Sequence, residues 1–388
     1  MKRILVIGTG TIGEPLIGLL ADFRKILKIS EVMFHKRTPL RDEVAKVESM
    51  VKRGAKLVVD PEKVEEFKSL GHKPALVYQE ALELCDVVID CTPAGNIAKK
   101  EHYLPLLKKD KDKIFIAQGS EKGFGLPYAF GINDEALLDH KDNFIQVVSC
   151  NTHNVSSLVD TLSSHEVDKN FVSGDFTCIR RSNDISQHSG FSPSPEVGAH
   201  KDSSFGTHHA KDSYDLFRTI NLIPNLFSSA MKLNTQYMHI IRFSVQIKNF
   251  ANTESIIEKF RNNKFTALTH KNLANKVFSF GRDHGYYGRI FNHTVVAVNS
   301  LSTRSHQGNT IVSGFCFTPQ DGNSLLSSVA AAMYGLHGHK YKEDMNYLNQ
   351  SQYLQVAGKN AYARSTINKQ VLLQKLSTDL AQAIQCIM

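Results

Sequence analysis

A cysteine becomes a nucleophile when its surroundings favour the thiolate, and the residues around Cys150 provide such a setting. The apolar pair Phe144-Ile145, followed by Val147-Val148, reads as a strand. Beyond the cysteine, Val155, Leu158, Val159 and Leu162 recur at helical spacing. Cys150 therefore falls at a strand-to-helix junction, beside the first unpaired amides of a helix. Such an N-terminus favours negative charge, lowers a thiol's pKa and raises the share of reactive thiolate. The remaining cysteines, Cys85, Cys91, Cys178, Cys316 and Cys386, are scattered and form no CxxC pair.

A second chemical feature opens the chain. Residues 3–7 form a short apolar strand, followed by Gly8, Thr9, Gly10, Thr11, Ile12 and Gly13, then Pro15 and an apolar helical face of Leu16, Leu19, Leu20 and Phe23. Strand, GxGxxG and helix make a dinucleotide-binding turn, whose backbone amides approach a pyrophosphate at the helix N-terminus. Gly8, Gly10, Thr11, Ile12 and Gly13 are thus assigned to a cofactor. The second strand, residues 31–35, ends in Lys36 and Arg37 rather than in an acidic residue. Two cations suit a ribose 2′-phosphate, so NADP is expected ahead of NAD.

These features require particular elements. Strands and helices alternate through residue 149, with loops at Thr92-Pro93 and Gln118-Gly119 on the carboxyl edge, where ligands lie in a doubly wound sheet. Helices are expected over 42–51 and 62–70. After the Cys150 helix the pattern changes to a strand over 171–181 ending in Arg180 and Arg181, and a long strand over 231–247. Helices are expected near 254–261 and 271–280, strands over 294–298 and 309–317, and a helix over 325–334. The fold class is α/β: an N-terminal Rossmann-type parallel sheet plus an α+β catalytic domain with a mixed, largely antiparallel sheet. The expected domains are 1–149 for the dinucleotide and 150–320 for catalysis. Residues 321–388 should pack back on the first domain, with a final helix over 369–387.

The bulk numbers narrow the classes. A chain of 388 residues accommodates two domains, and 41 % hydrophobic with 22 % charged content is that of a globular protein. No apolar run reaches a bilayer-spanning length. The six scattered cysteines fit reduced thiols in a cytoplasm. The formal charge of +8 is not gathered into a basic tract, so no specific nucleic acid is expected. A loop over 182–212 carries His188, His200, His208 and His209, but their spacing matches no metal pattern, and no metal is expected.

The order of short motifs resembles that of the archaeal-type (type II) phosphorylating glyceraldehyde-3-phosphate dehydrogenases over residues 1–333. They are the glycine turn, Lys36 to Pro39, Asp90-Cys91-Thr92-Pro93, Gln118-Gly119-Ser120-Glu121-Lys122 and Ser149-Cys150-Asn151-Thr152. Further along come Ile179-Arg180-Arg181, His208-His209 with Asp212, Thr235 to His239, and Gly281-Arg282-Asp283. The resemblance implies oxidation of glyceraldehyde 3-phosphate through a cysteine thioester, hydride transfer to NAD or NADP, and cleavage by inorganic phosphate to 1,3-bisphosphoglycerate. It implies Cys150 as nucleophile and His239 as base, with His209 the second choice. His208, His209, Ser149, Asn151 and Thr152 would bind the substrate, with Arg180 joining them. Arg181 and Gln320 would reach the cofactor, Gln320 being a better counterpart than His306-Gln307. A homotetramer is the implied assembly.

The chain departs from that pattern where the family has Thr-Thr-Gly after its Cys-Asn, and here Thr152-His153-Asn154 follows. His153 is expected to narrow the pocket or add a donor. Ser120 replaces a glycine, and Ala210-Lys211 separate His209 from Asp212. These changes leave two competing readings: a semialdehyde or acyl-phosphate reductase, such as aspartate-semialdehyde dehydrogenase, and a non-catalytic nucleotide sensor.

Overall fold

The computed structural model describes residues 1–119, 121–140, 142–183 and 190–350; Ser120, His188, Cys386 and the helix expected over 369–387 lie outside the described residues. The first sheet has eight strands: β1 (Arg3–Ile7), β2 (Glu31–His35), β3 (Lys56–Val59), β4 (Leu76–Val77), β5 (Val87–Asp90), β6 (Ile114–Gln118), β7 (Leu126–Tyr128) and β8 (Phe144–Val147). All run parallel, in the order β4-β3-β2-β1-β5-β6-β8-β7. Ile4 and Val6 join one core with Leu16, Leu19 and Leu20 of the helix Gly13–Asp22, while Leu5 and Ile7 join another with Val88 and Phe115. A parallel sheet covered on both faces needs such unbroken apolar strands. The chain leaves β1 on one side for β2 and returns on the other at β5, so their carboxyl ends flank the switch point of the sheet.

The second sheet is mixed. Its strands are β9 (Phe171–Arg180), β10 (Glu196–Val197), β11 (Leu226–Lys232), β12 (His239–Lys248), β13 (Thr266–Thr269), β14 (Thr294–Ala297), β15 (Ser302–His306) and β16 (Asn309–Thr318). They run in the order β10-β11-β9-β12-β16-β14-β13, with β15 beside β16. The pairs β9–β11 and β13–β14 are parallel and the others antiparallel. Its inner face, including Phe176, Cys178, Ile241, Phe243 and Cys316, packs on Val155, Leu158, Val159 and Leu162 of the helix Cys150–Leu162. That helix starts from the first sheet and lies along the second.

The strand expected over 231–247 is two strands. β11 pairs with one edge of β9 and β12 with the other, so residues 233–238 must cross the end of β9. Hydrogen bonds from Leu233 N to Arg180 O and from Ser182 N to Thr235 O, both 2.8 Å, fix that crossing, and Tyr237 takes a φ of 62° within it. The apolar alternation that continues through this stretch hides the break. Its consequence is chemical, because His239 becomes the first residue of β12, next to Arg180 and Arg181.

The helix Leu325–His337 buries Leu325, Val329 and Ala330 to Met333 against the first sheet. Three consecutive alanines let it approach β5, β6 and β8. Among the described residues no helix is long and apolar enough to cross a membrane.

Candidate active site

Cys150 is the first residue of its helix. Ser149 caps that helix, its Oγ accepting the Thr152 N–H at 3.3 Å and meeting Thr152 Oγ1 at 2.9 Å. Ser149 and Cys150 are half-buried, whereas every residue from Asn151 to Leu162 is buried. Thr318, the last residue of β16, ties this turn to the second sheet: Asn154 Nδ2 donates to its hydroxyl at 2.7 Å, and that hydroxyl donates to Asn151 Oδ1 at 3.3 Å. Thr152 thus commits its hydroxyl and its backbone N–H to Ser149, and Asn151 commits its Oδ1 to Thr318. Burial holds the thiols of Cys85, Cys91, Cys178 and Cys316 well above the usual range.

His239 pairs with Thr318 across β12 and β16, so the imidazole and the Cys150 turn share one neighbour. The two arginines at the end of β9 diverge, Arg180 exposed and Arg181 only 3 % exposed. The Arg181 amide donates to His239 Nδ1 at 3.0 Å. Its guanidinium donates to Tyr237 O at 2.9 Å and to Asp321 Oδ1 at 3.4 Å. The Gln320 amide, with its oxygen turned to Arg181 Nε at 2.7 Å, presents its NH₂ to His239 Nε2 at 3.3 Å. Arg181 and Gln320, expected to reach the cofactor, therefore form a bracket around His239. Burial, then the charges of Arg181, Arg180 and His209, push the His239 pKa well below the usual histidine range.

His208 and His209 open the helix His208–Arg218, their rings 4.0 Å apart. His209 is buried and its Nδ1 meets Thr207 Oγ1 at 3.1 Å; His208 is exposed. Burial first, and then His208 and Arg180, lower His209 to about 3. Arg180, Lys122 and Lys201 all act on His208, and Asp212 opposes them while pairing with Lys122 at 2.5 Å. This group of cations and neutral imidazoles has the character of an anion site. Among the described residues no three His, Cys, Asp or Glu side chains gather as metal ligands would.

The glycine turn lies at the switch point of the first sheet. A Cβ on Gly13 would stand 2.0 Å from Gly8 O, so the helix can approach the strand only without one. A Cβ on Gly10 would meet nothing within 4 Å, which leaves that face of the turn open. Thr92 closes the other side of the crevice, its N–H and hydroxyl both donating to Asp90 Oδ1, with Pro93 following. Gly119 is likewise open, while Gln118 is engaged with Ser328 at 2.8 Å. Thr11 and Ile12 lie in the turn, Ile12 at the N-cap position of the helix. Lys36, expected to be a free cation, is buried and paired with Glu43; Arg37 is exposed. Lys46 reaches the turn instead, its Nζ 3.5 Å from Thr9 O and 2.5 Å from Glu43 Oε1.

Over 261 residues the chain is 28 % identical to the glyceraldehyde-3-phosphate dehydrogenase of Picrophilus torridus, covering 67 % of this chain and 70 % of that one. It is 25 % identical over 316 residues to the enzyme of that name from Sulfolobus acidocaldarius, covering 79 % and 84 %. For the Pyrobaculum neutrophilum protein the identity is 25 % over 318 residues, covering 79 % and 85 %. The chain is thus similar, over two thirds or more of its length, to these archaeal glyceraldehyde-3-phosphate dehydrogenases. No family model matches it.

Against that relationship, His153 is where the structure departs most from expectation. It is fully buried and does not line a pocket. Its Nδ1 meets Ser149 O at 3.0 Å and its Nε2 meets Ser327 Oγ at 2.8 Å, so it bolts the start of the Cys150 helix to the helix Leu325–His337. Several residues around the site carried no sequence signal of their own. Thr318 precedes a proline and reads as a strand end, Asn323 reaches Cys150 O at 2.9 Å from a loop, and Glu43 meets Lys36 only through the fold. Lys46 had a faint one, lying three residues after Glu43 on the helix Val44–Lys52.

Proposed function

We propose that the protein oxidises glyceraldehyde 3-phosphate, with inorganic phosphate, to 1,3-bisphosphoglycerate through a thioester on Cys150. What supports this reading is a cysteine at a helix start whose turn shares Thr318 with His239, and the cations and imidazoles, Arg180 and His209 among them, that act on that ring. The Cys150 thiolate adds to the aldehyde carbon, forming the C–S bond and moving the carbonyl pair onto oxygen. Gly8, Gly10 and Gly13, with Thr92 opposite, would hold NADP or NAD, which would supply the hydride acceptor. Loss of hydride from the hemithioacetal carbon restores the carbonyl as a thioester. Phosphate attack then breaks the C–S bond, releasing the acyl phosphate and returning the thiolate. Arg180, His208 and His209, with Lys122 nearby, would hold the phosphate groups.

NADP is the preferred cofactor in this reading, with Arg37 available to a 2′-phosphate where Lys36 and Lys46 are both paired with Glu43. The reaction would run in a cytoplasmic homotetramer, as the resemblance implies, on residues divided at 149/150 and 320/321. The test is an absorbance assay of NADP and NAD reduction with glyceraldehyde 3-phosphate and phosphate, beside aspartate semialdehyde and a Cys150→Ser control. Reduction confined to the phosphorylated aldehyde and lost in the control is the expected result. Reduction confined to the semialdehyde would move the substrate to a carboxylate, and silence on both would leave a nucleotide-binding sensor.

A further inference from the structure

We infer that Glu43 sets the margin by which NADP is favoured over NAD, because its carboxylate stands between Lys36 and Lys46 where a ribose 2′-phosphate would have to stand. This rests on the reading above that a dinucleotide lies on the glycine turn, and it assigns selectivity to a residue outside the sequence motifs. Lys36 is the first residue after β2, and its N–H still pairs with Val58 O of β3 at 3.0 Å. Its side chain is buried and paired with Glu43 Oε2. The other oxygen, Oε1, takes Lys46 Nζ at 2.5 Å, and that nitrogen lies 3.5 Å from Thr9 O in the turn. One carboxylate thus bridges two cations between the end of β2 and the glycines.

The end of β2 is where a dinucleotide fold meets the ribose, usually through an acidic residue at the strand end. Here the strand ends in His35, and the acid arrives from the short 3-10 turn Arg41–Glu43. The other carboxylate at this edge, Asp60 after β3, is taken by His35 Nε2 at 3.0 Å. Glu43 is therefore the carboxylate placed to accept a ribose hydroxyl. Burial raises its carboxyl, but hydrogen bonds from Lys36 and Lys46 outweigh that and hold it below the usual range, so it is anionic at neutral pH.

The two lysines offer Glu43 the contacts that a phosphate group would seek. Lys36, Lys46 and Glu43 sum to one positive charge, with Glu14 Oε2 a further 3.9 Å from Lys46. A phosphate monoester carries about −1.5 to −2 at pH 7 and would meet the carboxylate as a like charge. NADP can use Lys36 and Lys46 only if Glu43 leaves them, and the Glu43 side chain, 23 % exposed, has solvent to turn into. NAD asks for no such movement, since its 2′-hydroxyl can donate to the carboxylate where it stands. Breaking two ion pairs therefore weakens NADP binding and leaves NAD binding untouched. Arg37, exposed at the same strand end, is the cation that NADP gains without that cost.

The test is calorimetric titration of the full chain with NADP and with NAD, at one salt concentration, for the wild type and two variants. Glu43→Gln keeps the length of the side chain and gives up its charge, so NADP should tighten about 10-fold while NAD does not tighten. Glu43→Asp keeps the charge but is too short to span both lysines, and its NADP-to-NAD affinity ratio should fall between those of the wild type and the Gln variant. Loss of a purely structural ion pair would weaken both ligands, so a selective gain is a result that such a role does not produce. NADP unchanged or weaker in Glu43→Gln, or both dinucleotides tightening alike, would overturn the inference. Should that variant fail to fold, as apo melting would show, an Asp variant with a ratio no higher than wild type overturns it instead. A wild type that takes up neither dinucleotide would overturn it together with the cofactor reading. Titration needs no turnover, so a wild type that binds both dinucleotides but oxidises no aldehyde would count against the reaction alone.

Discussion

Replacing Gly10 with alanine separates the cofactor cradle from the fold that carries it. A Cβ there meets nothing within 4 Å, so the apo protein has no contact to lose and no clash to relieve. Its stability should change by no more than about 0.5 kcal/mol. The same methyl occupies the open face of the turn, where the pyrophosphate would lie against backbone amides. Gly13→Ala is the contrasting case, since its Cβ would lie 2.0 Å from Gly8 O and 2.9 Å from Gly8 C. Backbone cannot yield as a side-chain tip does, so that variant should lose several kcal/mol, roughly the range of strained or overpacked sites. The assay is thermal melting with and without NADP. Ligand at 100 times its Kd stabilises the wild type by about 2.7 kcal/mol, a shift of roughly 5–10 °C for domains of this size. Gly10→Ala should keep the apo Tm and lose the shift, whereas Gly13→Ala should lower the apo Tm outright. A Gly10→Ala protein that shifts as the wild type does would refute the placement of the pyrophosphate.

Iodoacetamide at neutral pH should label Cys150 first, because Cys85 and Cys316, pushed up to about 12, hold about one thiolate in 10⁵ at pH 7; peptide mapping that finds these thiols equally reactive contradicts it. Arg37→Ala should weaken NADP about 10-fold with NAD little changed, by loss of one charge-assisted contact, and calorimetric titration showing equal losses for both would remove the 2′-phosphate assignment. His153 is fully buried and lowered to about 4, mainly by desolvation, from an ordinary 6.5. The unfolded chain takes up that proton first, so the stability this ring contributes is intact above pH 6.5 and is lost as pH falls towards 4, by about 3 kcal/mol in all. Urea titrations from pH 7.5 to 4.5 would show the decline, and a flat profile would contradict it.

Local pattern carried part of this fold in the sequence, and long-range pairing carried the rest. The glycine turn and the Cys150 helix start were legible because glycine spacing and the switch from an apolar run to helical periodicity are both local. The paired arginines were not. Period-two alternation at the end of β9 turns Arg180 outward and Arg181 inward, and only the crossing of residues 233–238 shows that Arg181 meets His239. Lys36 read as a free cation because its partner, Glu43, arrives after an intervening turn. His153 read as a pocket residue from its place one turn into the helix, yet Ser327, 174 residues away, holds it inside.

Capture of the thioester on Cys150 tests the central claim most directly. The enzyme would be mixed with glyceraldehyde 3-phosphate and NADP without inorganic phosphate, quenched in acid and mapped by mass spectrometry. A phosphoglyceryl adduct on the peptide containing Cys150, absent in Cys150→Ser and discharged by added phosphate, is the predicted result. NADP reduction that proceeds with no adduct on that peptide, or that persists in Cys150→Ser, would contradict it.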